Sequence, residues 1–266
     1  MEMKRLAVIG HPVGHSRSPA IHNAAFAELG IGEEWSYEAI EVTPDEFERR
    51  VQSMSGEGFV GANVTVPHKG AALAVADSLS ETAREIGAAN TLSFTGGEIA
   101  ADNTDAGGLL AALPEAPGGK RALVLGAGGA ARAVVWALVR EGTEVDVWNR
   151  TPLRSRHLCE ELGGRPAEEP GQGAYELIVN ATSTGLDGAD PFGELPLSPA
   201  GFAPGQIVVD LVYSAGPSAL LEAAEGAGAV TVDGLEVLVR QGGLSFEIWT
   251  GRPAPLDAMR TAASSV

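Results

Sequence analysis

The feature that most constrains this fold is a glycine-rich stretch near the middle of the chain, Gly126-Ala127-Gly128-Gly129-Ala130-Ala131-Arg132, set between an apolar run at 122–125 and a helix-periodic run at 130–140. A short buried strand that turns through glycines straight into a helix opens a βαβ unit, and parallel strands built this way need a sheet covered on both faces. Gly126 permits the tight turn, Gly128 lets a pyrophosphate approach the backbone, and Ala131 lets the helix pack close to the sheet. The helix N-terminus offers Gly129 and Ala130 as oriented N–H donors to an anion. The G-x-G-x-x-A spacing favours a dinucleotide, although a ligand-free glycine turn and a methyl-donor nucleotide site share the pattern.

The residues after the next apolar run, 144–148, narrow the choice. An acidic residue there would hold both ribose hydroxyls of NAD; this chain has Asn149-Arg150-Thr151 instead. Arg150 offers a planar charged fork to the 2′-phosphate of NADP, and Thr151 and Arg154 add donors. A solvated surface arginine is the plain alternative. Further strand-like runs at 177–180, 207–212 and 230–232 complete a doubly wound pattern, after which 235–249 and the region around Met259 return to helical periodicity.

The first hundred residues repeat the alternation of strand and helix. Strands are expected at 6–9, 35–42 and 59–66. Ser18 reads as a helix N-cap with Pro19 at the first helical position and Gly30 beyond the last, and Thr43-Pro44-Asp45-Glu46 has the spacing of a capping box opening a second helix. Runs at 90–94 and 98–101 around Thr95-Gly96-Gly97 read as a hairpin, and 103–113 as a connecting helix. The fold class is therefore α/β with two domains. One spans 1–102, has a mostly parallel sheet and is joined by C-terminal helices at 238–266; the other, 103–237, is of Rossmann type.

Charge limits the partners. With 18 Lys and Arg against 35 Asp and Glu, the net charge of -17 repels nucleic acid and anionic membranes, leaving a small molecule as the expected ligand. Each well-placed cation is then informative, and the lysines are Lys4, Lys69 and Lys120 alone. Cys159 has no second cysteine for a disulfide and reads as structural. Met1-Glu2-Met3-Lys4-Arg5 leads into a strand instead of a signal sequence, and no apolar stretch is long enough to span a bilayer, so a cytoplasmic protein is expected.

Polar clusters stand where loops at strand ends are expected, each with a plain reading as cap or turn. Their order along the chain resembles one family nearly from end to end. The matching blocks are Gly10-His11-Pro12-Val13-Gly14-His15-Ser16-Arg17-Ser18-Pro19 with Ile21-His22-Asn23, Asn63-Val64-Thr65-Val66-Pro67-His68-Lys69, Gly87-Ala88-Ala89-Asn90-Thr91 and Asp102-Asn103-Thr104-Asp105. The glycine loop, Asn149-Arg150-Thr151, Asn180-Ala181-Thr182-Ser183 and Gln241 complete the series. This is the pattern of shikimate dehydrogenases.

The resemblance implies an NADP-dependent oxidoreductase of aromatic amino acid biosynthesis, reducing 3-dehydroshikimate reversibly to shikimate. It implies Lys69 and Asp105 as the catalytic pair, Ser16 and Ser18 on the substrate carboxylate, and Asn63, Thr65, Asn90, Asp105 and Gln241 on ring hydroxyls. Tyr213 matches a substrate-touching tyrosine, while Thr182, Ser183, Val212 and Gly234 fall on the cofactor side. Departures are Glu236-Val237, where the family commonly has Gly-Met, and Ser218, where threonine is frequent. No metal is expected from His11, His15, His22 and His68; His68 is expected to shape the loop beside Lys69. A quinate/shikimate dehydrogenase paralogue and a non-catalytic NADP-binding sensor are the alternatives, and a monomer or homodimer is expected.

Overall fold

The computed structural model describes residues 3–186, 188–213 and 216–265; Met1 and Glu2, at the start read above, lie outside them. The chain divides into two compact units, Met1–Gly108 with Leu238–Val266, and Leu109–Val237.

Unit 1 runs β1 (Lys4–Gly10), α1 (Ser18–Glu28), β2 (Trp35–Glu41), α2 (Phe47–Met54), β3 (Phe59–Val64), α3 (Ala71–Ala74), β4 (Ser78–Leu79), α4 (Glu81–Ile86), β5 (Thr91–Thr95) and β6 (Glu98–Asp102). Its sheet order is β2-β1-β3-β5-β6-β4. The first three strands are parallel, and the β5–β6 hairpin is antiparallel to β3. Leu6, Ala7, Val8 and Ile9 on β1 are all at most 3% exposed, as a central strand covered on both faces requires. One cover is α2, whose Phe47, Val51 and Met54 fall on a single stripe at i, i+4 and i+7 and pack with Phe59 and Phe94. Each such side chain removed from water contributes about 1.5–3 kcal/mol. Gly96 (φ 63°) and Gly97 (φ 89°) take the left-handed conformations that a two-residue hairpin turn demands.

Helix α5 (Asp105–Ala112) leads into unit 2: β7 (Arg121–Leu125), α6 (Gly129–Arg140), β8 (Glu144–Trp148), α7 (Pro152–Leu162), β9 (Arg165–Pro166), β10 (Leu177–Asn180), β11 (Ile207–Asp210), α8 (Ala219–Gly226) and β12 (Val230–Asp233). These strands are parallel in the order β12-β11-β10-β7-β8-β9. That is the doubly wound order with the reversal between β7 and β10. Apolar clusters cover both faces, one centred on Val124, Val134 and Leu138, the other on Leu123, Ile178 and Leu220. Helix α9 (Gly234–Thr250) then carries the chain back to unit 1, where α10 (Leu256–Ser264) packs on α1. No helix among the described residues is long and apolar enough to cross a membrane.

Several local expectations are corrected. Ser18 is the first residue of α1 rather than its cap; Arg17 occupies the cap position and the Ser16 hydroxyl accepts the Ser18 N–H at 3.3 Å. The capping-box residues bond each other, Thr43 Oγ1 to Glu46 Oε2 at 2.9 Å, but they close a turn, and α2 begins only at Phe47. Strand β3 stops at Val64 and β11 at Asp210, each short of the expected end, because the chain leaves the sheet there for a loop. The connecting helix begins at Asp105, and the units divide within it, after Gly108.

Candidate active site

The topology of unit 1 gathers its polar residues at one edge of the sheet. Because β5 runs antiparallel to β3, the start of β5 lies beside the end of β3, with Asn63 paired to Thr91 and Thr91 to Asp102. Two loops join them there. In the loop after β3, His68 is 2% exposed, its Nε2 lies 2.7 Å from the Val42 carbonyl, and its ring stacks on Phe47 at 4.5 Å. The next residue, Lys69, has its carbonyl held by the Ala89 N–H at 2.9 Å. In the loop after β6, the Asn103 side chain accepts the N–H of Asp105 at 3.0 Å and caps α5.

Both loops deliver their charges to one point. Lys69 Nζ donates to Asp105 Oδ2 at 2.6 Å, with the two side chains 13% and 18% exposed. Asp105 Oδ1 accepts from Asn90 Nδ2 at 2.9 Å. That same nitrogen lies 2.9 Å from Thr104 Oγ1 and 3.0 Å from Gln241 Oε1. An amide has two hydrogens for these three acceptors, so at any moment one of them goes without this donor. Asn63 is tied into the network by donation to Ser245 Oγ at 2.9 Å and by acceptance from the Tyr37 hydroxyl at 2.7 Å. A side chain at Gly108 would come within 2.8 Å of the Gln241 backbone nitrogen, so glycine there lets the start of α5 approach α9.

The structure thus brings together Asn63, Lys69, Asn90, Asp105 and Gln241. Ser16 is half-buried and Ser18 buried, and among the described residues no hydrogen bond joins either to this cluster. Thr65 is half-buried on the same loop, its methyl group against Gly10, where any side chain would strike it. Sequence reasoning missed Ser245 and Tyr37. Ser245 stands one helical turn beyond Gln241, an i, i+4 spacing that could have signalled it.

In unit 2 the glycine loop has the expected form. Gly126 sits at φ 112°, and a side chain there would come within 2.9 Å of the Ala181 carbonyl. Gly128 is exposed, with nothing within 4 Å of where a side-chain carbon would stand, leaving its backbone open to a ligand. Ala131 is fully buried, Ala127, Gly129 and Ala130 half-buried. After β8, Asn149 donates to the Thr151 carbonyl at 2.9 Å, and Arg150, Thr151 and Arg154 are exposed. Arg150 lies 3.5 Å from Glu194.

At the ends of β10 and β11, Asn180 Oδ1 accepts both the N–H (3.1 Å) and the hydroxyl (2.7 Å) of Thr182. Asp210 accepts from Asn180, Ser218 and the Val212 N–H. Burial pushes the Asp210 carboxyl above the ordinary carboxylate range, against the pull of those donors. Ser183 is exposed, Val212 buried, Tyr213 half-buried, and Gly234 packs where a side chain would lie 2.7 Å from the Leu211 carbonyl. No group of three or more His, Cys, Asp or Glu side chains among the described residues is arranged to hold a metal ion.

These features define a two-unit α/β protein in which a Rossmann-type unit accompanies a mixed-sheet unit bearing a half-buried lysine–carboxylate pair. Comparison with known proteins makes the class specific. Family models describing the shikimate dehydrogenase substrate binding domain, shikimate / quinate 5-dehydrogenase and the shikimate 5′-dehydrogenase C-terminal domain match residues 8–92, 112–178 and 234–263. The chain is 45% identical to the shikimate dehydrogenase (NADP(+)) of Anaeromyxobacter dehalogenans, covering 96% of this chain and 94% of the relative. To that of Methanopyrus kandleri it is 42% identical, over 98% and 95%. The crystal structure of the Thermus thermophilus shikimate 5-dehydrogenase in complex with NADP(H) and shikimate superposes with a TM-score of 0.90 at 42% identity, over 98% of each chain. The chain belongs to the shikimate dehydrogenase family.

Proposed function

We propose that this protein is an NADP-dependent oxidoreductase interconverting 3-dehydroshikimate and shikimate. The observation that carries the reading is the Lys69–Asp105 pair at 2.6 Å, set among buried amides and hydroxyls. A polyhydroxylated ring needs many directional partners, and polar groups left unpaired penalise the wrong ring. Asn63, Thr65, Asn90, Asp105 and Gln241 would hold hydroxyls in this reading. Ser16 and Ser18, at the start of α1, would take the carboxylate, and Tyr213 would touch the substrate.

The residues of unit 2 fit NADP. Gly126, Ala127, Gly128, Gly129 and Ala130 would cradle the pyrophosphate, since the open backbone at Gly128 is what its close approach needs. Asn149, Arg150, Thr151 and Arg154 would hold the adenosine end and its 2′-phosphate, with Thr182, Ser183, Val212 and Gly234 lining the other half. When bound, the nicotinamide supplies the hydride in one direction and accepts it in the other. In the reducing direction the ring ketone oxygen gains negative charge, which the Lys69 ammonium stabilises and to which it can pass a proton. Asp105 orients that ammonium, and Asn90 orients Asp105. In the reverse direction the same pair draws the proton from the hydroxyl. In this reading the protein works in the cytoplasm.

The test is Lys69→Ala assayed with shikimate and NADP. Turnover should fall about a hundredfold to ten-thousandfold, with a much smaller change in KM. A folded variant with near-normal turnover would refute the assignment.

A further inference from the structure

The geometry points to Asp210 as a positioning residue for hydride transfer, one that holds the nicotinamide half of the dinucleotide seat in register without touching the reacting atoms. The inference rests on the NADP reading of unit 2 and extends it.

The sheet order sets which half of a dinucleotide goes where. Strands β7, β8 and β9 lie on one side of the reversal and β10, β11 and β12 on the other. A dinucleotide straddles that point, one mononucleotide to each half. Arg150, the candidate for the adenosine 2′-phosphate, comes directly after β8. The nicotinamide half therefore belongs over the carboxyl ends of β10, β11 and β12, where the loops carrying Thr182, Val212 and Gly234 begin.

Asp210 ties those loops together. Its Oδ2 accepts the Ser218 hydroxyl at 2.6 Å, and its Oδ1 accepts Asn180 Nδ2 at 2.9 Å and the Val212 N–H at 3.1 Å. Asn180 uses its other face to hold Thr182, and Ser218 also caps α8 by accepting the Leu221 N–H. The backbone contributes too, because Gly234 packs against the Asp210 and Leu211 carbonyls. One carboxylate, 2% exposed, thus fixes the exit of β11, the loop after β10 and the start of α8. A buried charge carries a large desolvation cost. An uncharged side chain would complete the strand at lower cost, so the charge is explained by the loops it orders.

Asp210→Asn, Asp210→Ala and Ser218→Ala separate positioning from mere support. Kd for NADPH should stay within about threefold, because the grip comes from residues 126–130 and Arg150. The turnover number should fall about tenfold in Asp210→Asn and about a hundredfold in Asp210→Ala, as misplacement by about an ångström does. The primary isotope effect with 4-deuterated NADPH should rise, since hydride transfer becomes limiting. If Asp210→Ala does not fold, Ser218→Ala decides, with an expected loss of about threefold to tenfold in turnover and the same rise in isotope effect. Folded variants with unchanged turnover and isotope effect overturn the proposal, as does a loss of NADPH affinity equal to the loss of turnover. Failure of the wild-type protein to use NADPH, or an Arg150→Ala variant with unaltered NADPH binding, would overturn the cofactor reading beneath it.

Discussion

Replacing His22 by phenylalanine is expected to remove about 2 kcal/mol of acid sensitivity from the fold between about pH 7.5 and about pH 5. His22 is fully buried on α1, its ring stacked on Tyr37 at 4.2 Å and 2°, and neither nitrogen has a hydrogen-bond partner among the described residues. Burial alone lowers its pKa from 6.5 to about 3. Between those values the unfolded chain binds a proton that the folded chain refuses. Stability therefore rises with pH across the window and drains away as pH falls below 6.5, at about 1.4 kcal/mol per unit once well inside it. Phenylalanine keeps a ring against Tyr37 and does not titrate. Its extra bulk should cost roughly 1–3 kcal/mol at either pH, which cancels when each protein is compared with itself. Urea unfolding at the two pH values gives the comparison. Equal acid losses in wild type and variant would refute the reasoning, because the folded ring would then have to be protonated near its ordinary pKa.

Arg150→Ala should weaken NADPH about tenfold to a hundredfold while leaving NADH nearly unchanged, and equal losses in a direct binding titration would remove its role at the 2′-phosphate. Ser16→Ala should raise the KM for shikimate and spare that for NADP; the opposite pattern in steady-state kinetics would assign this loop to the cofactor. Combining Lys69→Ala with Asp105→Asn should cost less than the product of the single losses in kcat, since the pair acts as a unit. Gly126→Ala should abolish NADP binding or lower Tm, because φ 112° and the Ala181 carbonyl leave no room for the methyl group; a variant with wild-type affinity and Tm would contradict that geometry.

Local signals carried much of this fold. The β7–α6 turn was legible because its glycines answer to a positive φ and to close packing, both of which act within a few residues. The β5–β6 hairpin was legible for the same reason at Gly96 and Gly97. Helix starts at Ser18 and Phe47 were misjudged because a cap is a geometry rather than a residue type. Thr43 and Glu46 have the right spacing, yet their side chains meet across a turn that precedes the helix. Strands β4 and β9 are two residues each, too short for any periodicity to register. The family resemblance singled out Lys69 and Asp105, and their side chains do meet, Nζ to Oδ2 at 2.6 Å. The Tyr37–Asn63–Ser245 links were not, because Asn63 and Ser245 are 182 residues apart and nothing local marks either one as the other's partner.

The chain's return to unit 1 through α9 also orders its birth on the ribosome. Residues 109–237 form a continuous segment with clusters of their own on both sheet faces, able to close as soon as they emerge. The first 108 residues cannot finish in the same way. Until α9 emerges, Asn63 lacks Ser245, Asn90 lacks Gln241, and the Leu92 carbonyl waits for the indole of Trp249, which reaches it at 3.0 Å across the space kept by Gly61. Until α10 emerges in turn, the Arg17 guanidinium lacks the Ala263 carbonyl, its anchor at 2.5 Å. The lysine–carboxylate pair thus gains its full surroundings only once α9 has emerged, and a nascent chain stalled before Leu238 would hold all of residues 109–237 while unit 1 still lacked α9 and α10.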